Sequence, residues 1–273
     1  MNKTRILLAC VLMVAIAGAA VAESPPVTIE IAGAKLKPSV PSSADWGWWN
    51  PSKYTDGFVV DDDASFEFVD LRMLADYGTY TVVLAGEWYP ELEAEGSYTA
   101  SGDDEATTEM LTLDGAIYDL GFGMNFGRND RTGGLVWVGA TYMDLGETLT
   151  VISPAGSSEA ADRADTRIWG VVAGVDGSIS ITDRLDVAGR LLYRWATGDR
   201  DAVINTEDPA SGSTGQVELS DDIDHSMWGA DLGLRWHATK QWWIELGYRY
   251  RDRTLDDGPV RFNGPQIKTA VTF

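Results

Sequence analysis

The segment QWWIELGYRYRD, residues 241–252, alternates between two kinds of side chain without interruption. Its two sets are Trp242, Ile244, Leu246, Tyr248 and Tyr250 on one parity, and Trp243, Glu245, Gly247, Arg249 and Arg251 on the other. Successive side chains of a strand point to opposite faces, so the segment predicts a strand with one apolar face and one largely charged face. The kind of solvent that meets each face then decides the fold.

The same period of two recurs in about ten segments along the chain. From the N-terminal side they are VTIEIAGAKL, FEFVDLRML, YTVVLAGEWY, GAIYDLGFGMNF, LVWVGATYMD, IWGVVAGVDGSI, LDVAGRLLYRW, SMWGADLGLRWH, QWWIELGYRYRD and GPQIKTAVTF. The inward face of LVWVGATYMD is ambiguous, and VTIEIAGAKL has the weakest pattern. Each segment has about the length of a tilted strand that spans a bilayer, which is roughly 9–11 residues.

The connections between these segments alternate in length. Short links lie near residues 76–78, 128–133, 182–184 and 238–240; longer acidic links lie at 38–64, 90–109, 146–165 and 198–222, with a shorter one at 252–259. This rhythm predicts an all-β, up-and-down antiparallel barrel of about ten strands, with short turns on one rim and long loops on the other. Eight strands is the alternative if the first two segments do not both span.

The N-terminal residues have the layout of a cleaved secretory signal peptide. Lys3 and Arg5 precede the apolar run 6–17, and the small-residue sequence 20–22 follows as a cleavage site. We therefore expect residues 1–22 to be removed and residues 23–273 to form a single barrel domain. Cys10 is the one cysteine and lies in the leader, so the mature chain is expected to contain no disulfide.

The formal net charge of −21 argues against nucleic acid as a partner, because phosphates require a basic surface.

Lipid is the predicted solvent of the apolar faces. Strand after strand places Trp or Tyr near its ends, which is typical of the headgroup level of a membrane. A soluble barrel would instead bury these rings and expose the charges. We expect Trp195, Trp228 and Tyr250 in the outer girdle, and Trp236, Trp242 and Phe273 in the inner one.

Here the sequence resembles the small outer-membrane β-barrel proteins of Gram-negative bacteria. The most specific element is the C-terminal strand GPQIKTAVTF, whose Ile267, Val271 and Phe273 alternate up to an aromatic carboxy terminus. In that family such a strand is the signal that the barrel-assembly machinery recognises. The resemblance implies Sec-type secretion, a location in the outer membrane, and the lipid bilayer and lipopolysaccharide as partners.

The inward parity predicts a lumen that is filled by paired charges. The acidic members are Asp70, Glu87, Asp119, Asp176, Asp186, Asp231 and Glu245; the basic members are Arg72, Arg190, Arg194, Arg235, Arg249, Arg251 and Lys268. A barrel of eight to ten strands has just enough interior for side chains, and an unpaired buried charge costs several kcal/mol. The alternative is that several of these groups are solvated at the rims.

His225 is the candidate catalytic residue, with Asp222 and Asp224 beside it. A histidine oriented by a carboxylate can act as a general base, and the omptin proteases carry a histidine and carboxylates at the outer rim of a ten-stranded barrel. Their Asp-x-His pattern is absent, since Ile223 stands two residues before His225. A solvated rim histidine is the simpler interpretation, and His237 is interpreted as an interfacial residue.

Other candidates lie in the predicted loops. The acidic runs 61–63, 103–105 and 221–222 could hold divalent cations, although a solvated acidic surface explains them too; no other cofactor or metal is expected. The first loop carries Trp46, Trp48, Trp49, Tyr54 and Phe58, which suit recognition of an extracellular ligand or the headgroup belt equally. The predicted function is a non-enzymatic structural or surface barrel; the alternatives are a narrow pore for small solutes and a rim-located hydrolase.

Overall fold

The computed structural model describes residues 25–39, 66–98, 107–127, 131–152, 162–208, 213–255 and 258–273, which form ten strands. The strands are β1 (Val27–Ser39), β2 (Phe66–Asp76), β3 (Tyr80–Tyr98), β4 (Thr107–Phe126), β5 (Thr132–Ile152), β6 (Asp162–Thr182), β7 (Leu185–Asp208), β8 (Ser213–His237), β9 (Trp242–Leu255) and β10 (Gly258–Thr272). Among these residues, no helix is long and apolar enough to cross a membrane.

The ten strands close into one barrel in chain order, and every neighbouring pair is antiparallel. β1 completes the cylinder by pairing with β10, from Thr28 opposite Thr272 to Ser39 opposite Arg261. The predicted ten-stranded up-and-down barrel is confirmed. The eight-stranded alternative is wrong, because β1 and β2 both pair into the wall.

Much of what the sequence suggested to be long loops is strand. β7 continues to Asp208 and β8 begins at Ser213, so most of the predicted loop 198–222 is a two-stranded ribbon. The segments 90–109, 146–165 and 252–259 are likewise shortened by strand on both sides. Lipid no longer contacts the outer face of these extensions beyond the aromatic girdle, so the apolar alternation stops although the hydrogen-bonded ladder continues. Residues 40–64 of the first predicted loop lie outside the described residues.

β4 to β10 present an exposed apolar belt on the outside of the barrel, whereas the outward Ile29, Leu71 and Trp88 of β1, β2 and β3 are buried. Val138 is 62% exposed, Leu232 is 63% exposed and Leu246 is 63% exposed, all on the parity opposite to the charged side chains. An apolar surface of this extent is stable only against lipid. The predicted facing of these strands is therefore the observed one.

Aromatic rings border the belt at both ends, as predicted. On one side, Tyr118 stacks on Tyr142 with ring centroids 6.5 Å apart, and Tyr142 lies 4.4 Å from Trp169. The girdle continues around the wall through exposed Trp195 and through Trp228, which packs on Tyr250. We call this end the long-strand rim. At the opposite, short-turn rim the exposed rings are those of Trp236, Trp242 and Phe273.

The inner wall contains a flat indole that lies over glycines. Trp137 of β5 points inward and is buried, which resolves the ambiguous facing of this strand. Its ring covers Gly121 of β4 and Gly174 of β6, where an added Cβ would overlap the indole. Its Nε1 donates to Asp176 Oδ2 at 3.1 Å. Inward glycines thus make room for large side chains from the neighbouring strands.

Replacing Gly121 by alanine should destabilise the barrel. The new Cβ would lie 2.5 Å from Trp137 Cε3, so the indole must shift and weaken its bond to Asp176. Overpacking of this kind costs about 1–3 kcal/mol in the free energy of unfolding, measured by urea titration in lipid vesicles. Gly177→Ala is the matched control, since nothing lies within 4 Å of its Cβ position. Equal stability of the two variants would contradict the packing role of Gly121.

Candidate functional site

The structure places the predicted charged side chains on the inner face of the wall, and most of them are buried. The buried members are Asp70, Arg72, Glu87, Asp119, Asp186, Arg194, Asp231, Glu245, Arg249, Arg251 and Lys268; Asp176, Arg190 and Arg235 are partly buried. They come from eight of the ten strands, and most of them belong to three groups of contacts.

The first group lies on the short-turn side of the interior and centres on Asp176 of β6. Arg72 of β2 donates to both of its carboxylate oxygens, at 2.8 and 2.7 Å. Arg190 of β7 donates to the same carboxylate at 2.8 Å and to Glu30 of β1 at 2.8 Å. β2 and β6 are not neighbours in the wall, so the Arg72–Asp176 pair crosses the interior.

The second group lies at mid-barrel and centres on Asp231 of β8. Its carboxylate accepts from Arg249 at 3.1 Å and from Arg251 at 2.7 Å, and it pairs with Lys268 at 3.1 Å. Arg249 also donates to Asp70 of β2 at 2.9 Å, which joins β9 to β2 past β10 and β1. One carboxylate thus neutralises cations from two strands.

The third group is built on Arg194 of β7. Its guanidinium lies 2.9 Å from Glu87 of β3 and 2.7 Å from Asp119 of β4. Arg251 approaches Glu87 at 3.6 Å and so connects the third group to the second. Charge-assisted bonds with this geometry are the strong ones, and each guanidinium here holds more than one strand.

The remaining predicted members pair near the short-turn rim. Arg235 donates to Glu245 at 3.0 Å and lies 3.9 Å from the ring centroid of Trp243. Asp186 lies 2.7 Å from His237 Nε2, so His237 belongs to the inner wall. His237 has the parity of Arg235 and not that of Trp236, so it faces the inside of the barrel beside the short turn.

An apolar layer lies next to the charged groups toward the long-strand rim. It consists of inward side chains from five strands, with almost no exposed surface: Phe68, Ile117, Met143, Ile168 and Met227. Phe68 packs edge-on against Tyr89 at 5.1 Å between ring centroids, and the guanidinium of Arg249 lies 4.5 Å from its ring. The interior therefore alternates between charged and apolar layers.

His225 is buried inside the barrel and is not the solvated rim residue that the sequence suggested. It is 0% exposed, and its Nε2 accepts a hydrogen bond of 2.8 Å from Arg253 Nε. Arg253 in turn donates to Glu147 of β5 at 3.1 Å, so the three side chains cross the mouth of the barrel. An imidazole that accepts from a guanidinium must be neutral at that nitrogen.

The two aspartates beside His225 do not join it. Asp222 and Asp224 are exposed and have the outward parity, whereas His225 has the inward parity. These three residues therefore do not come together as the candidate catalytic group. Of the acidic runs, 61–63 and 103–105 lie outside the described residues, as do the aromatic residues of the first loop. The described part of the chain contains no group of three or more His, Cys, Asp or Glu side chains that could hold a metal ion.

Several interior residues were missed from the sequence. Glu30 shares a parity with Thr28 and faces away from Ile29 and Ile31, so the alternation of β1 could have identified it. Arg253 simply continues the alternation of Arg249 and Arg251. Trp137 and Glu147 could not be assigned, because the facing of β5 was ambiguous in the sequence.

A cavity of about 290 Å³ lies between the network and the short-turn rim. Its walls carry the first charged group together with a polar cluster in which Asn125 bonds to Thr81 and to the carbonyl oxygen of Gly78. Arg72, Arg190 and Asp176 line it, so this space borders the first charged group of the network.

Removing Arg194 should destabilise the barrel strongly. Arg194→Leu leaves Glu87 and Asp119 as buried carboxylates that have lost their shared cation, which typically costs 3–5 kcal/mol in the free energy of unfolding. Arg167→Leu is the control, since its side chain is 66% exposed and 3.8 Å from Asp144, and its loss should cost roughly 1 kcal/mol or less. Urea unfolding in vesicles measures both, and similar losses would contradict a structural role for the buried network.

The pKa of His225 gives a pH dependence that can be measured. His225 lies beyond the girdle residue Trp228, outside the membrane-spanning segment, and burial together with the guanidinium of Arg253 holds its pKa well below 6.5. Below pH 6.5 the unfolded chain binds the proton more tightly, so the stability of the folded barrel falls as pH falls. Relative to His225→Gln, the wild type should lose about 2 kcal/mol between pH 7 and pH 5 in urea unfolding. A pH-independent difference between the two proteins would contradict the prediction, because the folded and unfolded chains would then bind the proton at His225 equally well.

Comparison with known proteins shows the fold alone. No family model matches the sequence, and no curated protein matches it. The solved structure of the outer-membrane protease OmpT from Escherichia coli has a TM-score of 0.51 at 13% identity, covering 93% of this chain and 98% of OmpT. Ail, the attachment invasion locus protein of Yersinia pestis, has 12% identity, a TM-score of 0.33, and coverage of 92% and 99%. Neisserial surface protein A has 12% identity, a TM-score of 0.32, and coverage of 90% and 97%.

The closed antiparallel cylinder, the exposed apolar belt with its two aromatic girdles and the OmpT-like fold agree with one another. The chain is an outer-membrane β-barrel of the Gram-negative type, and the outer membrane is its location.

Proposed function

We propose that this protein is a non-enzymatic outer-membrane barrel with a closed lumen and a structural or surface-interaction role. One observation carries the proposal: the side chains of Arg194 and Arg249 are 1% and 0% exposed at mid-barrel, and their partners lie on other parts of the wall. A water-filled channel would leave such groups hydrated.

The interior layers support closure at more than one height. The charged groups on Asp176, Asp231 and Arg194 join β1, β2, β3 and β4 to β6, β7, β8 and β9. The apolar layer around Phe68 and Met227 follows, and the Glu147–Arg253–His225 contacts cross above it. An ion that enters the cavity at the short-turn rim therefore meets paired charges first and apolar side chains next.

Neither alternative has an observation that favours it over closure. A narrow pore needs a continuous polar path, whereas the Phe68 layer interrupts the polar lining. A hydrolase at the rim needs His225 to meet substrate and a carboxylate, whereas His225 is buried against Arg253 and does not contact Asp222 or Asp224.

The partners that we propose follow from the outer surface. The apolar belt contacts lipid, and the girdle at the long-strand rim lies at the level of lipopolysaccharide. Ile267, Val271 and Phe273 are exposed on the outward face of β10, the strand that closes the barrel, which is the arrangement expected of a signal for the assembly machinery. The exposed Asp221 and Asp222 remain candidates for weak binding of divalent cations.

Planar-bilayer recording tests the closed lumen. The purified barrel should give no stepwise currents, because charged and apolar side chains fill its cross-section. An open porin inserted into the same bilayer serves as the positive control, and heat-modified mobility in a gel verifies that the silent sample is folded. Reproducible stepwise conductance of the wild type would contradict closure and favour the narrow pore.

A further inference from the structure

The ribbon of β7 and β8 has an open edge beyond the barrel wall. Along Val217–Ile223, β8 pairs with β7, from Val217 opposite Ile204 to Ile223 opposite Gly198. Pairing of β8 with β9 begins only at His225 opposite Leu255. No other described strand pairs with this stretch of β8, so seven residues, about 23 Å of backbone, present one side of the ladder to the surroundings.

An open edge is a template for strand addition. Its backbone N–H and C=O groups can pair with an extended peptide, and the alternating side chains on its two faces select the partner. The side chains from Val217 to Asp222 are all exposed. The edge also lies past the aromatic girdle at Trp228, on the extracellular side, where a partner outside the cell can reach it.

The side chains along the edge have a definite pattern. Val217 and Leu219 share the parity of His225, which turns them toward the axis of the barrel mouth, and both are exposed. Glu218, Ser220 and Asp222 have the outward parity of Trp228. One face of the edge therefore carries Val217, Leu219 and Asp221, and the other carries Glu218, Ser220 and Asp222.

The outward face of the edge and of the facing stretch of β7 carries several carboxylates. Asp222 lies directly opposite exposed Asp199 of β7, and Asp201 lies opposite Ser220, whose hydroxyl donates to it at 2.8 Å. Like charges directly across a ladder are destabilising, and no lysine or arginine occurs between residues 217 and 223. A cation brought alongside Glu218 and Asp222 would relieve this repulsion.

We propose that the Val217–Ile223 edge of β8 binds an extended basic segment of an extracellular protein by strand addition. The bound segment carries lysine or arginine at every second position, beside Glu218 and Asp222, and aliphatic residues between them, beside Val217 and Leu219. A second copy of this chain is the wrong occupant, because its own edge would set carboxylates against carboxylates. The proposal rests on the surface-interaction role proposed above and names its partner class.

The test uses a synthetic peptide of seven residues that alternates lysine and valine, added to the folded barrel in zwitterionic detergent micelles. Binding should slow amide hydrogen exchange in residues 217–223 and should weaken at high salt. A peptide of the same length with two valines replaced by proline should give no protection, since proline cannot donate to a ladder. Absence of protection with the alternating peptide overturns the proposal.

Charge-reversed variants separate the edge from general attraction to an acidic surface. Glu218→Lys with Asp222→Lys should weaken peptide binding by about tenfold or more. Asp144→Lys with Asp165→Lys, which makes the same change of charge on β5 and β6, should leave the affinity within about threefold. Equal losses in the two variants would also overturn the proposal.

Bilayer recording on the same preparation keeps this result distinct from that of the proposed function. If the barrel is silent and the alternating peptide does not protect residues 217–223, only the edge site is contradicted. If the barrel conducts and the peptide does protect these residues, only the closed lumen is contradicted.

Discussion

The structure depends on the pairing of every backbone amide and carbonyl within the hydrocarbon layer. Lipid offers these groups no partner, so a sheet can span a bilayer only when its first and last strands join. The ladder between β1 and β10 provides that joint, and residues of the C-terminal strand supply half of it. Closure also creates two environments. The outward side chains face lipid, and the inward side chains pack mainly against one another.

The enclosed environment explains which side chains the interior contains. A cylinder of ten strands leaves little more space than its side chains fill, so charged groups there must neutralise one another. Asp176 and Asp231 each accept from two or more cations, and Arg194 and Arg249 each reach more than one carboxylate. Glycines such as Gly229 and Gly233 give the long side chains of Arg251 and Glu245 the room to lie against the wall. The same contacts that stabilise the barrel are those proposed to close it.

The alternation of apolar and polar residues predicted the strands well wherever the two faces of a strand lie in different environments. β7 to β10 have aromatic belts opposite charged faces, and their facing could be assigned without a structure. The pattern failed beyond the outer girdle, where lipid no longer contacts the outer face and strand was interpreted as loop. It failed for β5, whose two faces are both largely apolar, and for His225, because an acidic sequence neighbourhood does not reveal which side chains cross the barrel to meet it.

The sequence by itself determined that the chain forms spanning strands, which parity faces lipid, and that acids and bases balance on the inward parity. Those properties follow from a period of two that each segment carries alone. Only the tertiary structure decided that Arg72 meets Asp176, that Arg194 meets Glu87 and Asp119, and that His225 lies under Arg253. These partners sit on strands far apart in the chain, and the closure and register of the barrel set the distances between them.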